Sequence, residues 1–510
     1  MTLHNQQLLA ERLRAVIAWV GADAIALQQG EEQVSYGQLL QRVTELSHWL
    51  QKQPVQVVAI LSDNCPEWVV VDLACQMAGK VCLPVPGFFS AQQRGHCLSA
   101  ADLLVCDSRM PDDVAAICAV TVDSPLSSLT VWRLALVSSA DTDMPQGTGK
   151  VTFTSGSTGQ PKGVCLSSAQ QWQVAQSLAQ VIGLQRPRHL CLLPLATLLE
   201  NIAGIYVPLL CGGTVLLPTL AERGMSGSSG LQLPQLLQCL QQLQPTSLIL
   251  LPQLLAALVS AVLQGWQLPA SLRFLAVGGG KVAAELLLQA RSLGMPVYEG
   301  YGLSECASVV ALNTPAADRP GSVGQSLPHC EVQVRDGEVI VSGSVFLGYW
   351  GEPASWYPRQ VATGDLGERD GAGWLTIDGR RKNLIISSFG RNISPEWVES
   401  ACQARPLLSQ CVVAGEARPW LVALLSAPES VTDQQIDQWL QQVNRELPDY
   451  ARVQRWLRLP QSAWAGYLTA NGRPRREQLL ADYEQQLCAL YGADHNLSSL
   501  RAPAPRAINH

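Results

Sequence analysis

The stretch Thr154-Ser155-Gly156-Ser157-Thr158-Gly159-Gln160-Pro161-Lys162-Gly163 packs hydroxyls, glycines and one lysine into ten residues. Small residues let backbone N–H groups approach an anion closely, the hydroxyls add donors, and Lys162 brings a positive charge. The apolar-leaning residues 151–153 before it predict a strand that feeds the loop. Pro161 stands where a Walker A motif would need glycine before its lysine. We therefore predict a phosphate-binding loop of a different kind.

Two further glycine-rich stretches follow predicted strands. The first is Gly278-Gly279-Gly280-Lys281, and the second is Val297-Tyr298-Glu299-Gly300-Tyr301-Gly302-Leu303-Ser304-Glu305. Glycines let a flat ligand lie against the backbone, an aromatic face can cover a purine, and a carboxylate can anchor a hard cation. On a helical turn Tyr301 and Glu305 would face the same side. A plain turn, a core tyrosine and a solvated glutamate are the alternative interpretations.

Two turns near the end of the large domain add a carboxylate and a guanidinium. They are Thr363-Gly364-Asp365-Leu366-Gly367 and Ile377-Asp378-Gly379-Arg380. The two oxygens of a carboxylate can each accept one O–H donor, which suits a vicinal diol such as that of ribose. A turn-forming role is the alternative for the first motif alone.

These motifs, in this order, resemble those of the adenylate-forming superfamily, which includes acyl-CoA synthetases, luciferases and the adenylation domains of peptide synthetases. The resemblance covers the chain from about Val34 to Leu480, and it is nearest to bacterial long-chain acyl-CoA synthetases and fatty-acyl-AMP ligases. It implies ATP and Mg²⁺ as cofactors, and CoA or a phosphopantetheine carrier as the acceptor of the acyl group.

The resemblance also implies a role for each motif residue. The loop Thr154–Gly159 with Lys162 would hold the β- and γ-phosphates of ATP, Tyr301 would lie beside the adenine, and Glu305 would bind Mg²⁺. Asp365 would accept hydrogen bonds from both ribose hydroxyls, with Arg380 adding a contact. The remaining nucleotide-binding positions are Gly278, Gly279, Gly280, Gly300, Gly302 and Ser304.

A small C-terminal domain is implied to rotate against the large one. Lys382 falls at the hinge position of the family, and Gly390 at the glycine that leaves room for a pantetheine arm. The last motif carries Arg473 where the family has a catalytic lysine that reaches the substrate carboxylate and the α-phosphate. Arginine keeps the charge but differs in bulk and geometry. We predict a large domain at 1–380, a hinge at 381–383 and a mobile domain at 384–510.

The acyl-binding region departs from the long-chain synthetases. They commonly carry histidine where Thr197 stands and arginine where Asn201 stands. Thr197 is either a residue of the acyl pocket or a helix cap. The apolar runs Leu190–Leu217 and Leu248–Leu258 could line a pocket for a fatty or other apolar acid, or they could be core.

The order of elements predicts an α/β fold. Strand, helix and strand recur between Val55 and Cys106, which indicates right-handed βαβ units and a parallel sheet. A small β-subdomain follows Gly321, with a hairpin around Asp336-Gly337. Beyond the hinge the pattern predicts a mixed α+β module.

Composition narrows the class of protein further. The 510 residues carry a net charge of -6, without a long basic tract, which argues against nucleic acid as a partner. Fifteen cysteines without a Cys-x-x-Cys pair indicate free thiols and a cytoplasmic location. The apolar stretch Ser247–Trp266 is divided by Pro252, so we expect no membrane span.

Three hypotheses remain from the sequence. The first is an ATP-dependent ligase that activates a carboxylic acid and transfers it to CoA. The second is an acyl-AMP ligase that loads an acyl carrier protein. The third is a nucleotide-binding homologue that has lost catalysis, to which Arg473 and Thr197 would point.

Overall fold

A computed structural model of the chain describes residues 2–135, 143–154, 161–226, 230–388, 391–405, 407–469, 472–492 and 500–501. A large domain precedes a small one, and the predicted α/β class is confirmed. Within these residues no helix is both long and apolar enough to cross a bilayer. All fifteen cysteines are unpaired and ten of them are buried, as the absence of Cys-x-x-Cys pairs predicts.

The first sheet is mostly parallel at its centre, where β3 pairs with β4 and β5, and β4 pairs with β8. Its spatial order is β21-β9-β8-β4-β3-β5-β7-β6. The strands are β3 Val57–Leu61, β4 Val81–Pro84, β5 Leu103–Cys106, β6 Cys118–Val122, β7 Thr130–Leu134, β8 Lys150–Thr154, β9 Lys162–Leu166 and β21 Gly348–Tyr349. The helices between them are α3 Pro66–Ala78, α4 Ala91–Leu98 and α5 Asp112–Ala115.

The second sheet has the order β18-β17-β16-β15-β14-β10-β11-β1-β2. Its strands are β1 Ile25–Gln29, β2 Glu32–Ser35, β10 Arg188–Leu190, β11 Thr214–Leu216, β14 Ser247–Leu250, β15 Phe274–Val277, β16 Val297–Leu303, β17 Ser308–Leu312 and β18 Gln325–Ser326. The associated helices are α1 Thr2–Val20, α2 Tyr36–Lys52, α6 Ser168–Ile182, a π-helix Glu200–Tyr206 continued by α7 Val207–Leu210, α8 Leu233–Leu243, α9 Pro252–Leu263 and α10 Ala284–Ser292. A short pair, β12 Met225–Ser226 and β13 Gly230–Leu231, lies apart.

The two sheets share one hydrophobic core, and α3 lies inside it with every residue buried. The helix begins as Pro66 predicts, but its N-terminal cap is Cys65, whose Sγ accepts from the backbone N–H of Trp68. In the sequence Asn64-Cys65-Pro66, Asn64 is the expected cap, and this expectation is wrong. The buried amide of Asn64 instead donates to the carbonyl of Leu193 at 2.9 Å, in the segment that follows β10.

Two predicted elements differ in the structure. The apolar run from Leu190 to Leu195 predicts a strand, but β10 ends at Leu190, and Pro194 lies in a turn that leads into the π-helix. Tyr301 belongs to strand β16 and Glu305 to a 3₁₀ turn, so the prediction that both share a helical face was wrong. By contrast, the hairpin at Asp336-Gly337 is confirmed, and both residues have positive φ, as a type I′ turn requires.

The remaining elements form the small β-subdomain and the C-terminal domain. The subdomain has β19 Cys330–Arg335, β20 Glu338–Gly343, β22 Gln360–Arg369 and β23 Leu375–Arg380. The C-terminal strands are β24 Ile385–Ile386, β25 Asn392–Ile393, β26 Gln410–Ala414, β27 Leu421–Ser426, β28 Val453–Arg458 and β29 Leu500–Arg501. Its helices are α11 Pro395–Cys402, α12 Asp433–Glu446, α13 Gln461–Trp464, α14 Arg476–Asp482 and α15 Glu484–Gly492. Short 3₁₀ turns occur at Ser304–Cys306, Pro353–Ser355, Arg381–Asn383, Asp449–Ala451 and Ala465–Tyr467.

Candidate active site

A cavity of about 1910 Å³ lies where the large and small domains meet. It gathers residues from distant parts of the sequence onto one surface. All the candidate site residues that the structure describes line this cavity. They are Thr154, Lys162, Thr197, Gly278, Gly279, Gly280, Gly300, Tyr301, Gly302, Ser304, Glu305, Asp365, Arg380, Lys382 and Arg473. Ser155, Gly156, Ser157, Thr158, Gly159 and Gly390 lie outside the described residues.

Asp365 is the centre of a polar cluster on one wall. Its Oδ2 accepts from the hydroxyl of Tyr301 at 2.6 Å, and its Oδ1 lies 2.6 Å from Nε of Arg380. Adjacent strands β22 and β23 place Asp365 opposite Arg380 in register. Burial raises the pKa of Asp365, whereas Arg380 and the Tyr301 hydroxyl act to lower it. The cluster offers a carboxylate held in place for a pair of hydroxyl donors.

Glu305 lies close to the strand that follows the phosphate-loop motif, where Tyr349 holds it. The hydroxyl of Tyr349 donates to Oε1 of Glu305 at 2.8 Å, and Lys162 Nζ lies 4.7 Å from the Tyr349 ring centroid. Lys162 also pairs with Glu352 at 3.0 Å, and both side chains are nearly half exposed. A carboxylate facing a polar cavity suits Mg²⁺, which prefers oxygen ligands.

Sequence reasoning missed Tyr349. It lies on the short edge strand β21, which pairs with β9, so tertiary contact alone brings it to Glu305.

The glycine stretches form a smooth part of the cavity wall. Gly278 directly follows β15, and a Cβ there would lie 3.0 Å from the carbonyl oxygen of Gly300 on the neighbouring strand. At Gly302 a Cβ would overlap the carbonyl of Ser308, because β16 bulges between Tyr301 and Gly302. Backbone without side chains is therefore required here, and it leaves room for a flat group beside Tyr301.

Two ionisable residues at this wall were not singled out from the sequence. Lys281 donates from Nζ to the carbonyls of Ile377 and Asp378, at 3.0 and 3.2 Å. Glu299 is buried beneath the glycines, and burial raises its pKa to about 8, although Lys281 and the backbone of Val282 oppose the shift. Lys281 thereby joins the glycine stretch to strand β23.

Arg473 enters the cavity from the small domain. Its side chain is open to the cavity, but the surrounding walls keep most of the solvent away. This desolvation and the nearby charge of Arg380 both lower the pKa of Arg473. The carboxylates of Asp365 and Glu396 act in the opposite direction. The segment that carries Arg473 is anchored within the small domain by Arg476. This residue donates to the carbonyl of Val413 at 2.7 Å and pairs with Glu399. A cation from the C-terminal domain thus lies next to the Asp365 cluster.

Residues on either side of the predicted hinge are in close contact. Ser394 Oγ donates to the carbonyl of Asp378 at 2.5 Å, and Asn383 donates to Glu396 at 2.5 Å. A Cβ at Gly379 would overlap Ser394, so the glycine of this motif is needed for the approach of helix α11. Lys382 lies in the 3₁₀ turn between the domains, 3.8 Å from Glu477.

Thr197 lies just before the π-helix and faces the cavity. Its carbonyl accepts from the N–H of Asn201 at 3.0 Å. Asn201 is buried, donates to Asp72 at 3.0 Å and accepts from Lys150. Lys150 pairs with Asp72 at 2.8 Å, and both side chains are almost wholly excluded from solvent. Asn201 thus belongs to a buried polar cluster with Asp72 and Lys150, and Lys150 lies at the start of the strand that leads to the phosphate-loop motif.

Two family models match most of the chain. Residues 17–350 match the AMP-binding enzyme family, and residues 382–495 match the AMP-binding enzyme C-terminal domain. The chain belongs to the AMP-binding enzyme family. The predicted membership of the adenylate-forming superfamily is thus confirmed.

Similar proteins of the family differ in their acids. The chain is 28% identical to a 2-succinylbenzoate–CoA ligase of Bacillus velezensis over 78% of this chain and 83% of that protein. It is 40% identical to a long-chain-fatty-acid–CoA ligase of Mycobacterium bovis, but over only 29% of this chain and 26% of that protein. An anthranilate–CoA ligase crystallised with anthranoyl-AMP shares the fold at a TM-score of 0.77 and 19% identity, covering 93% and 96% of the two chains. The narrower resemblance to long-chain synthetases therefore rests on a short segment.

Proposed function

We propose that this chain uses ATP to activate an apolar carboxylic acid as an acyl-adenylate and then transfers the acyl group to the thiol of CoA. The observation that carries the proposal is the convergence of Arg473, Asp365 and Glu305 on one cavity, although they come from two domains. The named activities of similar proteins, which are CoA ligases, support the same reaction class.

In the first step, a carboxylate oxygen of the acid attacks the α-phosphorus of ATP. The bond from that phosphorus to the β-phosphate bridging oxygen breaks, and pyrophosphate leaves with the bonding pair. Asp365 and Tyr301 hold the nucleoside, Lys162 holds the departing phosphates, and Arg473 offsets the negative charge that develops at the reacting phosphate. Glu305 fits Mg²⁺, which supplies further charge neutralisation to the phosphates when bound.

In the second step, the thiol of CoA loses its proton to solvent and its sulfur attacks the acyl carbon. The bond between that carbon and the AMP oxygen breaks, and AMP leaves. We place a hinge at 381–383 between a large domain at 1–380 and a mobile domain at 384–510. Rotation about Lys382 would withdraw Arg473 and bring the region of Gly390 towards the cavity.

The acid is inferred to be apolar because apolar side chains contribute to the wall of the cavity. They include Leu198, Leu251, Leu254 and Ala257. An apolar wall gains free energy on covering apolar surface, at about 25 cal/mol per Å². Fatty acids and other apolar acids both satisfy this requirement.

The decisive test is carboxylate-dependent exchange of pyrophosphate into ATP, across a panel of aliphatic and aryl acids. We expect exchange with at least one apolar acid, and a failure with every acid would reject the proposed activity. Thioester formation with CoA is then compared with transfer to a phosphopantetheinylated carrier protein. Preference for the carrier by more than tenfold would favour the acyl-AMP ligase alternative.

A further inference from the structure

Three side chains able to ligate a metal meet in the interior of the large domain, where strand β10 approaches the π-helix. They are His189, Cys191 and Glu200, and we call them the His–Cys–Glu cluster. One ligand atom of each residue lies within 4.8 Å of the other two. Among the residues that the structure describes, this is the single group of three such side chains with that spacing. All three are buried, and none lines the cavity of the candidate active site.

The distances within the cluster suit a divalent cation. Nε2 of His189 lies 3.1 Å from Oε1 of Glu200, close to the roughly 3.4 Å that separates two ligands placed about 2.1 Å from one zinc ion at the corners of a tetrahedron. The thiol of Cys191 donates to the carbonyl of Gly204 at 3.6 Å, so the sulfur also faces the π-helix. An imidazole nitrogen, a sulfur and a carboxylate oxygen therefore converge from two elements.

Gly204 keeps a gap open beside these atoms. A Cβ at this position would lie 2.4 Å from Oε1 of Glu200 and 3.0 Å from Nε2 of His189. The backbone itself does not require glycine, because Gly204 lies within the π-helix and its φ is not positive. Since glycine in a helix is unfavourable, the missing side chain has a reason in the space that it leaves in front of two ligand atoms.

The other polar atoms of the cluster are held as metal ligands require. Nδ1 of His189 lies 3.0 Å from Ser247 Oγ, so an Nδ1–H can donate to the hydroxyl and leave Nε2 to coordinate. Oε2 of Glu200 accepts from the backbone N–H of Leu193 at 3.1 Å, which leaves Oε1 facing the histidine. The orientation of both ligands is thereby fixed from outside the cluster.

The charge of the cluster also favours a cation. Within the described part of the chain, His189 is the one basic side chain that contacts the carboxylate of Glu200, while the buried Arg223 nearby pairs with Asp63. A buried carboxylate is costly without a cation. With a neutral histidine, the thiolate of Cys191 and the carboxylate together carry the charge that one divalent cation cancels.

We propose that the His–Cys–Glu cluster binds one Zn²⁺ ion, which ties β10 to the start of the π-helix. Mixed nitrogen, sulfur and oxygen ligands suit zinc, whereas Mg²⁺ and Ca²⁺ take oxygen ligands. As the bond between zinc and sulfur forms, the thiol of Cys191 loses its proton to solvent. Burial raises the pKa of this thiol, so the thiolate depends on the metal for its charge. Zinc would hold the π-helix, and with it the neighbouring cavity residue Thr197.

The test begins with the unmodified full-length protein. It is produced in medium supplemented with Zn²⁺ and, separately, with Co²⁺, then dialysed briefly against a chelator that removes ions bound at the surface. We expect roughly one zinc ion per chain by elemental mass spectrometry. The cobalt protein should show a thiolate-to-cobalt charge-transfer absorption band, which identifies sulfur as a ligand. Protein from zinc-depleted medium should unfold at a lower temperature.

Two variants locate the metal. Cys191→Ser removes the sulfur and should lower the zinc content at least about tenfold and abolish the cobalt band. Gly204→Ala should also lower the zinc content, because its methyl group fills the gap. The matched control is Cys97→Ser, which changes an equally buried thiol in a different core and should keep the zinc of the unmodified protein.

The same measurements can overturn the zinc site. Zinc at background level in the unmodified protein would show that the three side chains only hydrogen-bond to one another. Equal zinc content in the unmodified protein and in Cys191→Ser would place the metal elsewhere. Neither result depends on the proposed reaction, since metal content and the cobalt spectrum are measured without an acid or ATP.

Discussion

Arg473 brings a fixed positive charge from the small domain to the wall that holds Asp365 and Arg380. We expect Arg473→Ala to reduce adenylate formation on the order of 100- to 1000-fold, the usual cost of removing one group that stabilises developing charge. Arg473→Lys should retain activity within about tenfold, because it restores the charge without the guanidinium fork. The rate of pyrophosphate exchange measures adenylate formation by both variants.

The control for Arg473 is Arg445→Ala, an exposed arginine of the same domain that does not line the cavity. The thioester step should be nearly unaffected when chemically prepared acyl-adenylate is supplied to Arg473→Ala with CoA. An equal loss in both steps would contradict the assignment of Arg473 to the first step.

Glu299 makes the stability of the large domain depend on pH. Its folded pKa, raised by burial to about 8, lies above that of an exposed glutamate. The folded state therefore holds a proton that the unfolded state has lost between about pH 4.5 and 8, so Glu299 makes stability fall as pH rises through this window. Glu299→Gln should remove that fall and be more stable than the unmodified protein at pH 8, by roughly 1–3 kcal/mol.

Urea unfolding of both proteins at pH 5, 6.5 and 8 measures the Glu299 effect. The difference between the two free energies of unfolding isolates this residue from other titrating groups, including Glu399, whose pKa burial raises to about 7. A difference that does not change with pH would contradict the buried, protonated state of Glu299.

At the scale of elements, a buried ion pair joins α3 to β8. Asp72 and Lys150 are 2.8 Å apart and nearly inaccessible to solvent, and Tyr206 of the π-helix donates to Asp72 at 2.7 Å. Lys150→Met should lower the free energy of unfolding by about 3–5 kcal/mol, because it leaves the buried carboxylate of Asp72 without its cation. The double variant Asp72→Leu with Lys150→Met should recover at least half of that loss.

Chemical unfolding of the single and double variants measures the coupling between Asp72 and Lys150. The matched control is the exposed pair Arg42–Glu32, where Arg42→Met should cost less than about 1 kcal/mol. If Lys150→Met lowers the free energy of unfolding no more than Arg42→Met does, the charge of Lys150 is not needed to compensate the buried Asp72 carboxylate.

The same elements show what sequence could and could not predict. Local signals predicted the turn at Asp336-Gly337 correctly, because turn residues act over a few positions. The partners of Asn201 could not be predicted, since Asp72 and Lys150 are distant in the chain and only tertiary packing brings them together. For the same reason the motifs predicted which residues line the cavity, but not that Tyr349 would hold Glu305.

At the scale of the whole molecule, Arg473 lies at the Asp365 wall, which is where the proposed adenylation step needs it. The proposed rotation of the small domain for the second step requires the contacts of Ser394 with Asp378 and of Lys382 with Glu477 to break. Proline at 382 would restrict φ to about -65°, which limits the backbone change available at the hinge. Lys382→Pro should therefore slow thioester formation at least tenfold more than adenylation.

The two steps are separated by measuring pyrophosphate exchange and, in single turnover, the transfer of preformed acyl-adenylate to CoA. Lys382→Ala is the control, because it removes the same side chain and its contact with Glu477 but leaves φ free. It should keep the ratio of the two rates within about threefold of the unmodified protein, since the rotation depends on backbone freedom. Equal slowing of both steps by proline, or the same change in ratio with alanine, would show that residue 382 does not act as the hinge.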